Sequence, residues 1–119
     1  MKLNWVTIRV RDLDRSLLFY HGLLKLDIAE QFGSGERRIA MLGRADGAKI
    51  ELICEPGLVI DSPGGGVSIG LEADDLEGLL QVLRENGYRA AGPVSPNPHI
   101  RFFFVQDPDG YTVQLAKRE

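Results

Sequence analysis

The sequence predicts an α+β fold of two βαβββ modules, whose curved mixed sheets surround a cleft with the helices on the outer faces. Three observations predict it. A set of features recurs 63 positions apart along the 119 residues. An Asp-Gly turn precedes the last strand of each copy. Each copy also holds one stretch of helical apolar spacing set among β-prone runs.

The repeat is densest around Asp107-Pro108-Asp109-Gly110-Tyr111-Thr112-Val113-Gln114-Leu115. Pro108 fixes the φ of a turn position, and Gly110 takes the positive φ that a three-residue hairpin loop with a bulge requires. Asp46-Gly47 falls on Asp109-Gly110, and Ile50-Glu51-Leu52 on Val113-Gln114-Leu115. Arg11-Asp12-Leu13-Asp14 falls on Asp74-Asp75-Leu76-Glu77, Leu17 on Leu80, and Arg38 on Arg101. Ile39 and Met41 fall on Phe102 and Phe104. The chain reads as one domain over residues 1–119, with module one at about 1–56, a linker at 57–66 and module two at about 67–119.

Composition sets the limits. Hydrophobic content of 44% and charged content of 26% are those of an ordinary globular protein. A net charge of −3 lacks the basic footprint of non-specific nucleic-acid binding. Cys54 is the single cysteine, which excludes an intramolecular disulfide framework. No stretch reads as a signal peptide or membrane span, so a cytoplasmic location is expected.

Each element follows from its pattern. Residues 3–10 alternate, Val6, Ile8 and Val10 against Trp5, Thr7 and Arg9, as a half-buried strand does. Asp12 is placed to cap a helix whose stripe is Leu13, Leu17, Tyr20 and Leu24, weakened late by Gly22. Strands are expected at 27–32, 37–42 and 49–55, with Gly33-Ser34-Gly35 and Asp46-Gly47 at the turns. Residues 56–66, with Pro63-Gly64-Gly65-Gly66, read as a flexible joint. A glycine-rich phosphate cradle would need a helix directly after it, and a strand follows here. The second copy runs as a strand at 67–73, then a helix with a capping box of Asp74 and Glu77 and the stripe Leu76, Leu79, Leu80 and Leu83, ended by Gly87. A short strand at 88–93 and an exposed loop punctuated by Pro93, Pro96 and Pro98 lead to the final hairpin.

The pleat assigns the faces. A loop of Pro108, Asp109 and Gly110 pairs position 107 with 111, 104 with 114 and 102 with 116. Phe102, Phe104, Thr112 and Gln114 then share one face, and Phe103, Val105, Val113 and Leu115 the other. By the repeat, Ile39, Met41, Lys49 and Glu51 lie on the first kind of face, and Ile50, Leu52 and Cys54 on the second. The aliphatic face must meet the helix, so the face with Glu51, Gln114, Phe102 and Phe104 is free to line a cleft. Glu51 is either a strand carboxylate paired with Lys49 or Arg9, or a carboxylate in an aromatic cleft that holds a cationic group or acts as a base. Trp5, the lone tryptophan, is either core or a stacking surface for a flat ligand. His99 stands in the proline-rich loop, His21 on the helix surface, and Cys54 reads as a buried, inert thiol.

Paired βαβββ modules, the segment Arg11-Asp12-Leu13-Asp14-Arg15-Ser16-Leu17-Leu18-Phe19-Tyr20 after strand one, and Asp107-Pro108-Asp109-Gly110 before the last strand resemble the vicinal oxygen chelate superfamily. This is the glyoxalase, bleomycin-resistance and extradiol-dioxygenase group. The resemblance covers essentially the whole chain. It implies a divalent-metal position formed by a His on the first strand and a Glu on the last strand of each module. In this sequence those positions are Trp5, Ser68, Glu51 and Gln114. Only Glu51 is a strong ligand; an indole cannot coordinate, and Ser and Gln are weak neutral donors. The expectation is therefore a binding protein with no metal and no cofactor. It would sequester a small, partly aromatic ligand, cationic groups included, and would be lined by Trp5, Met41, Glu51, Ser68, Phe102, Phe104 and Gln114. The alternative is a lyase, isomerase or dioxygenase-like enzyme with a non-standard metal site; Glu51 and His99 are its candidate catalytic groups. The resemblance also implies a homodimer, with no nucleic-acid or membrane partner.

Overall fold

The computed structural model describes all residues, Met1–Glu119. The chain divides into two compact units, Met1–Ser62 and Pro63–Glu119. The first runs β1 (Trp5–Arg9), α1 (Leu13–Leu17), a π-helical turn (Leu18–Leu23), β2 (Ile28–Ser34), β3 (Arg37–Leu42) and β4 (Lys49–Cys54). The second runs β5 (Ser68–Glu72), α2 (Leu76–Glu85), β6 (Ala91–Asn97), β7 (Ile100–Gln106) and β8 (Thr112–Arg118). Each unit has a four-stranded mixed sheet, in the orders β1-β4-β3-β2 and β5-β8-β7-β6. The expected α+β architecture of two like modules is what the chain forms.

The repeat extends to hydrogen-bond register. Trp5 pairs with Lys49 and Thr7 with Glu51 in the parallel pair β1–β4; Ser68 pairs with Thr112 and Gly70 with Gln114 in β5–β8. Met41 pairs with Glu51, and Phe104 with Gln114. The offset breaks only at the outer strand. Pro93 and Pro96 lie in β6, and its register against β7 shifts twice between Ala91 and Asn97. The strand expected at 88–93 is therefore later, and most of the expected proline-punctuated loop is strand. An edge strand accepts proline because its outward donors have no partner to lose.

The final hairpin has the expected geometry. Asp107 N–H donates to Tyr111 O at 2.9 Å, and Gly110 N–H to Asp107 O at 3.0 Å. Gly110 takes φ +101°, and a Cβ there would come 3.0 Å from Pro63 Cγ. The Asp107 carboxylate is buried and accepts from the N–H groups of Asp109 and Tyr111 at 2.8 and 2.9 Å. The alternation holds too: Phe103, Val105, Val113 and Leu115 are buried, and Phe104 is exposed.

Both helices differ in detail from expectation. The first is a five-residue α-helix continued by a π turn; Leu13 and Tyr20 of the expected stripe are buried, but Ser16 and Phe19 are buried in place of Leu17 and Leu24, which are intermediate. The wider turn re-aims the later side chains. Asp12 caps it as expected, accepting from Arg15 N–H at 3.2 Å. In α2 the cap is Asp75, which accepts from Gly78 N–H at 3.0 Å; the expected Asp74–Glu77 box is replaced. Glu77 is engaged instead by Arg101 of β7.

Candidate functional site

Each sheet turns one face to its helix; the other, open face exposes Trp5 in the first unit and Phe104 in the second, while Ile39, Met41 and Ile53 on it are buried. In the first unit the open face carries Trp5, Thr7 and Arg9 from β1, Lys49, Glu51 and Ile53 from β4, and Ile39 and Met41 from β3. Ile39, Met41 and Ile53 form an apolar cluster with Ala29. Glu51 stands beside it, flanked by Thr7 and Met41 through the sheet register.

The partner of Glu51 is Thr7. The Thr7 hydroxyl donates to Glu51 Oε1 at 2.6 Å in a half-buried setting. The two candidate cations have other partners. Lys49 Nζ donates to Ala45 O at 3.2 Å and Gly47 O at 2.9 Å, which ties down the β3–β4 turn. Arg9 lies 3.7 Å from Glu55, which also pairs with Arg37 at 3.5 Å. Thr7 was legible in part, since it alternates with Trp5 onto this face. Its pairing with Glu51 needed the parallel register, which a sequence does not print.

Trp5 is 52% exposed, so it is not core. It borders a groove of about 420 Å³ with Met41, Glu30, Asp46, Lys2 and Lys49 around it. Nothing in the strand pattern singled out Lys2, Glu30 or Asp46; the β2 bulge near Ala29 brings in Glu30, the β3–β4 turn Asp46, and the segment before β1 Lys2.

In the second unit the open face carries Ser68, Gly70, Thr112, Gln114, Phe102 and Phe104. The two phenyl rings meet edge to face with centroids 5.5 Å apart. Gly70 occupies the place that Thr7 has in the first unit, so Gln114 faces no hydroxyl there; a Cβ on Gly70 would lie 3.9 Å from Gln114 Oε1. His99 sits in the turn between β6 and β7. Its N–H donates to Asn97 Oδ1 at 2.8 Å, its carbonyl accepts from Glu119 N–H at 2.8 Å, and its ring is exposed. His21 Nδ1 is 2.8 Å from Leu26 O, an end-of-helix contact. Cys54 is half-buried rather than buried, with Sγ 3.5 Å from Arg11 O, because it ends its strand.

A divalent metal at the positions the resemblance implies finds a poor donor set. Trp5 offers an indole, Ser68 an exposed neutral hydroxyl and Gln114 an amide. Glu51 is the one anionic oxygen ligand, already bonded through Oε1. No three His, Cys, Asp or Glu side chains come together anywhere in the chain. These residues do not fit such a metal. Asp14 is held below the ordinary carboxylate range, first through the hydrogen bond from Arg38 and then through its charge.

Comparison with known proteins places this geometry. The chain is 32% identical to a lactoylglutathione lyase of Haemophilus influenzae, over 100% of this chain and 94% of that one. It is 33% identical to a probable lactoylglutathione lyase of Synechocystis sp., over 92% and 90%. Among solved structures, the trypanothione-dependent glyoxalase I of Leishmania major superposes with a TM-score of 0.83 at 23% identity, over 98% of this chain and 86% of that one. An antibiotic binding protein from a Streptomyces species superposes with a TM-score of 0.74 at 22% identity, over 100% and 97%. No helix is long and apolar enough to cross a membrane. The model of the Glyoxalase/Bleomycin resistance protein/Dioxygenase superfamily matches residues 2–115, and the chain belongs to that superfamily.

Proposed function

We propose that this chain is a small-molecule binding protein of its superfamily that works without a metal and takes a partly aromatic ligand. The observation that carries this reading is the donor set: Trp5, Ser68 and Gln114 occupy three of the four positions where a ligand set would stand. What the first unit offers instead is recognition chemistry. The exposed Trp5 indole is a flat apolar surface beside the 420 Å³ groove. Glu51 has Oε1 engaged by Thr7 and retains Oε2 to accept from an N–H or ammonium group of a ligand. In the second unit Phe102 and Phe104 supply a further aromatic surface. Binding proteins do occur on this fold, as the Streptomyces antibiotic binding protein illustrates.

A second reading, lactoylglutathione lyase activity, is favoured by the two relatives at 32% and 33% identity. It needs a metal site assembled differently from the one the repeat positions mark, or none, with Glu51 and His99 as its candidate groups. In either case the working form we propose is a symmetric homodimer in the cytoplasm. Sedimentation equilibrium should give twice the 13.2 kDa of one chain.

Trp5 is the sole indole and reports ligand binding directly. Thermal-shift screening against aromatic metabolites, cationic glycopeptides and divalent metals should yield stabilising organic ligands that change Trp5 fluorescence, because a ligand specific to the folded state raises the melting temperature. Elemental analysis showing about one tightly bound metal per chain, together with metal-dependent lactoylglutathione lyase turnover, would reject the binding reading in favour of the second.

A further inference from the structure

We propose that the second unit carries a site for an aromatic anion, an aryl carboxylate or sulfonate, in the groove between the end of α2 and the outer strands β6 and β7. The proposal goes beyond the binding reading above: it is a second site, in the other unit, where the lining charge is positive rather than the carboxylate of Glu51. The groove encloses about 620 Å³.

Its existence follows from the outer strand. Ala91 pairs with Phe104 and Val94 with Phe102, so three steps along β6 are matched by two along β7. The extra residue bulges the strand. Val94 and Phe104 remain 53% and 46% exposed, and Phe104 meets Phe102 edge to face. Exposed aromatic and aliphatic surface around a concavity favours a flat apolar ligand body.

Charge then selects the ligand. Arg84 and Arg89 line the groove, and no acidic residue does. Arg84 Nε donates to Ala90 O at 3.0 Å, which anchors the guanidinium and leaves its terminal N–H groups available. Arg89 is exposed and has no acidic partner. A guanidinium is planar, weakly hydrated and shaped for two parallel hydrogen bonds to a carboxylate or sulfonate, and it tolerates an aromatic neighbourhood better than an ammonium does. An aromatic body carrying one such anionic group matches both features. A cationic ligand is repelled by both arginines, and a neutral one leaves them unmatched.

The test titrates the intact protein with anilinonaphthalene sulfonate, an aromatic anion, and with N-phenylnaphthylamine, its neutral counterpart. Saturable sulfonate binding is expected. Arg89→Gln should weaken it about tenfold while sparing the neutral dye, because only the charge-assisted bonds are lost. Arg89→Lys should restore part of the affinity, and Phe104→Ala should weaken both dyes. Unchanged sulfonate affinity in Arg89→Gln, or equal weakening of both dyes, overturns the proposal. Such a failure with ligand-induced changes at Trp5 intact removes this site alone; a Trp5 signal silent to every organic ligand removes the wider binding reading.

Discussion

Arg38 of β3 reaches the first helix and donates to Asp14 at 3.1 Å. The same strap recurs in the second unit, where Arg101 of β7 engages Glu77 of α2. In both cases the partners are 24 residues apart. The two straps are not equivalent in setting. The first is solvent-exposed, whereas Arg101 is half-buried and its Nε is buried without a hydrogen-bond partner.

The first strap predicts a pH signature. Arg38 lowers the Asp14 pKa from its ordinary 3.8. A depressed folded-state value means the strap's contribution is fully present above the ordinary carboxylate range and is lost as pH falls through the depressed value. Wild type and Asp14→Asn should therefore differ slightly in urea midpoint at neutral pH and converge in acid. A gap that widens on acidification would contradict this assignment.

Thr7→Val should destabilise the fold by about 1–2 kcal/mol, because Glu51 loses a charge-assisted donor in a half-buried place. Thr7→Ser should recover most of that loss. The measurement is urea unfolding at constant m-value. Equal midpoints for Val and wild type would show that Glu51 is satisfied by water.

The face assignment in β7 predicts opposite outcomes for adjacent phenylalanines. Phe103 is 1% exposed, and its replacement by Ala should cost about 3–5 kcal/mol. Phe104→Ala should stay within about 1 kcal/mol, because that ring is largely outside the core. Comparable losses at both positions would mean that the open face is covered in solution.

The α2 cap separates two neighbouring acids in the same way. Asp75→Ala should cost about 1 kcal/mol through the loss of its bond to Gly78 N–H. Asp74→Ala should fall within about 0.5 kcal/mol of wild type. Thermal unfolding of the two variants distinguishes them.

Much of this could be read from the chain. The offset that aligned Glu51 with Gln114 also gave the module content, the sheet faces and the hairpin register at Phe104 and Gln114, because strand pairing in a repeat is copied with the spacing. The errors lie where tertiary contacts outvote local pattern. Either Asp74 or Asp75 suits a cap by residue type; in the fold Asp75 caps Gly78 N–H while Glu77 is engaged by Arg101. Leu17 and Leu24 fit a regular helix, and the π turn at Leu18–Leu23 rotates Phe19 into the core instead. Proline argues for loop until an edge position removes its penalty, so β6 runs over Ala91–Asn97, later than the pattern alone suggests. The candidate site is legible in the sequence as a set of residue types on one face, not as contacts. Trp5, Met41 and Glu51 were named from alternation, whereas Thr7, Glu30 and Asp46 reach them through register, a bulge and a turn.

The prolines of β6 also govern what the second sheet does in company. β6 is its outer strand, and an outer strand offers unpaired donors and acceptors to any extended chain that drifts alongside. Pro93 and Pro96 have no amide hydrogen to offer, and the register shifts around them break the straight row that a templated neighbour would need. That edge is a poor template for strand addition. Replacing both prolines with β-branched residues would restore two amide donors to that outer strand.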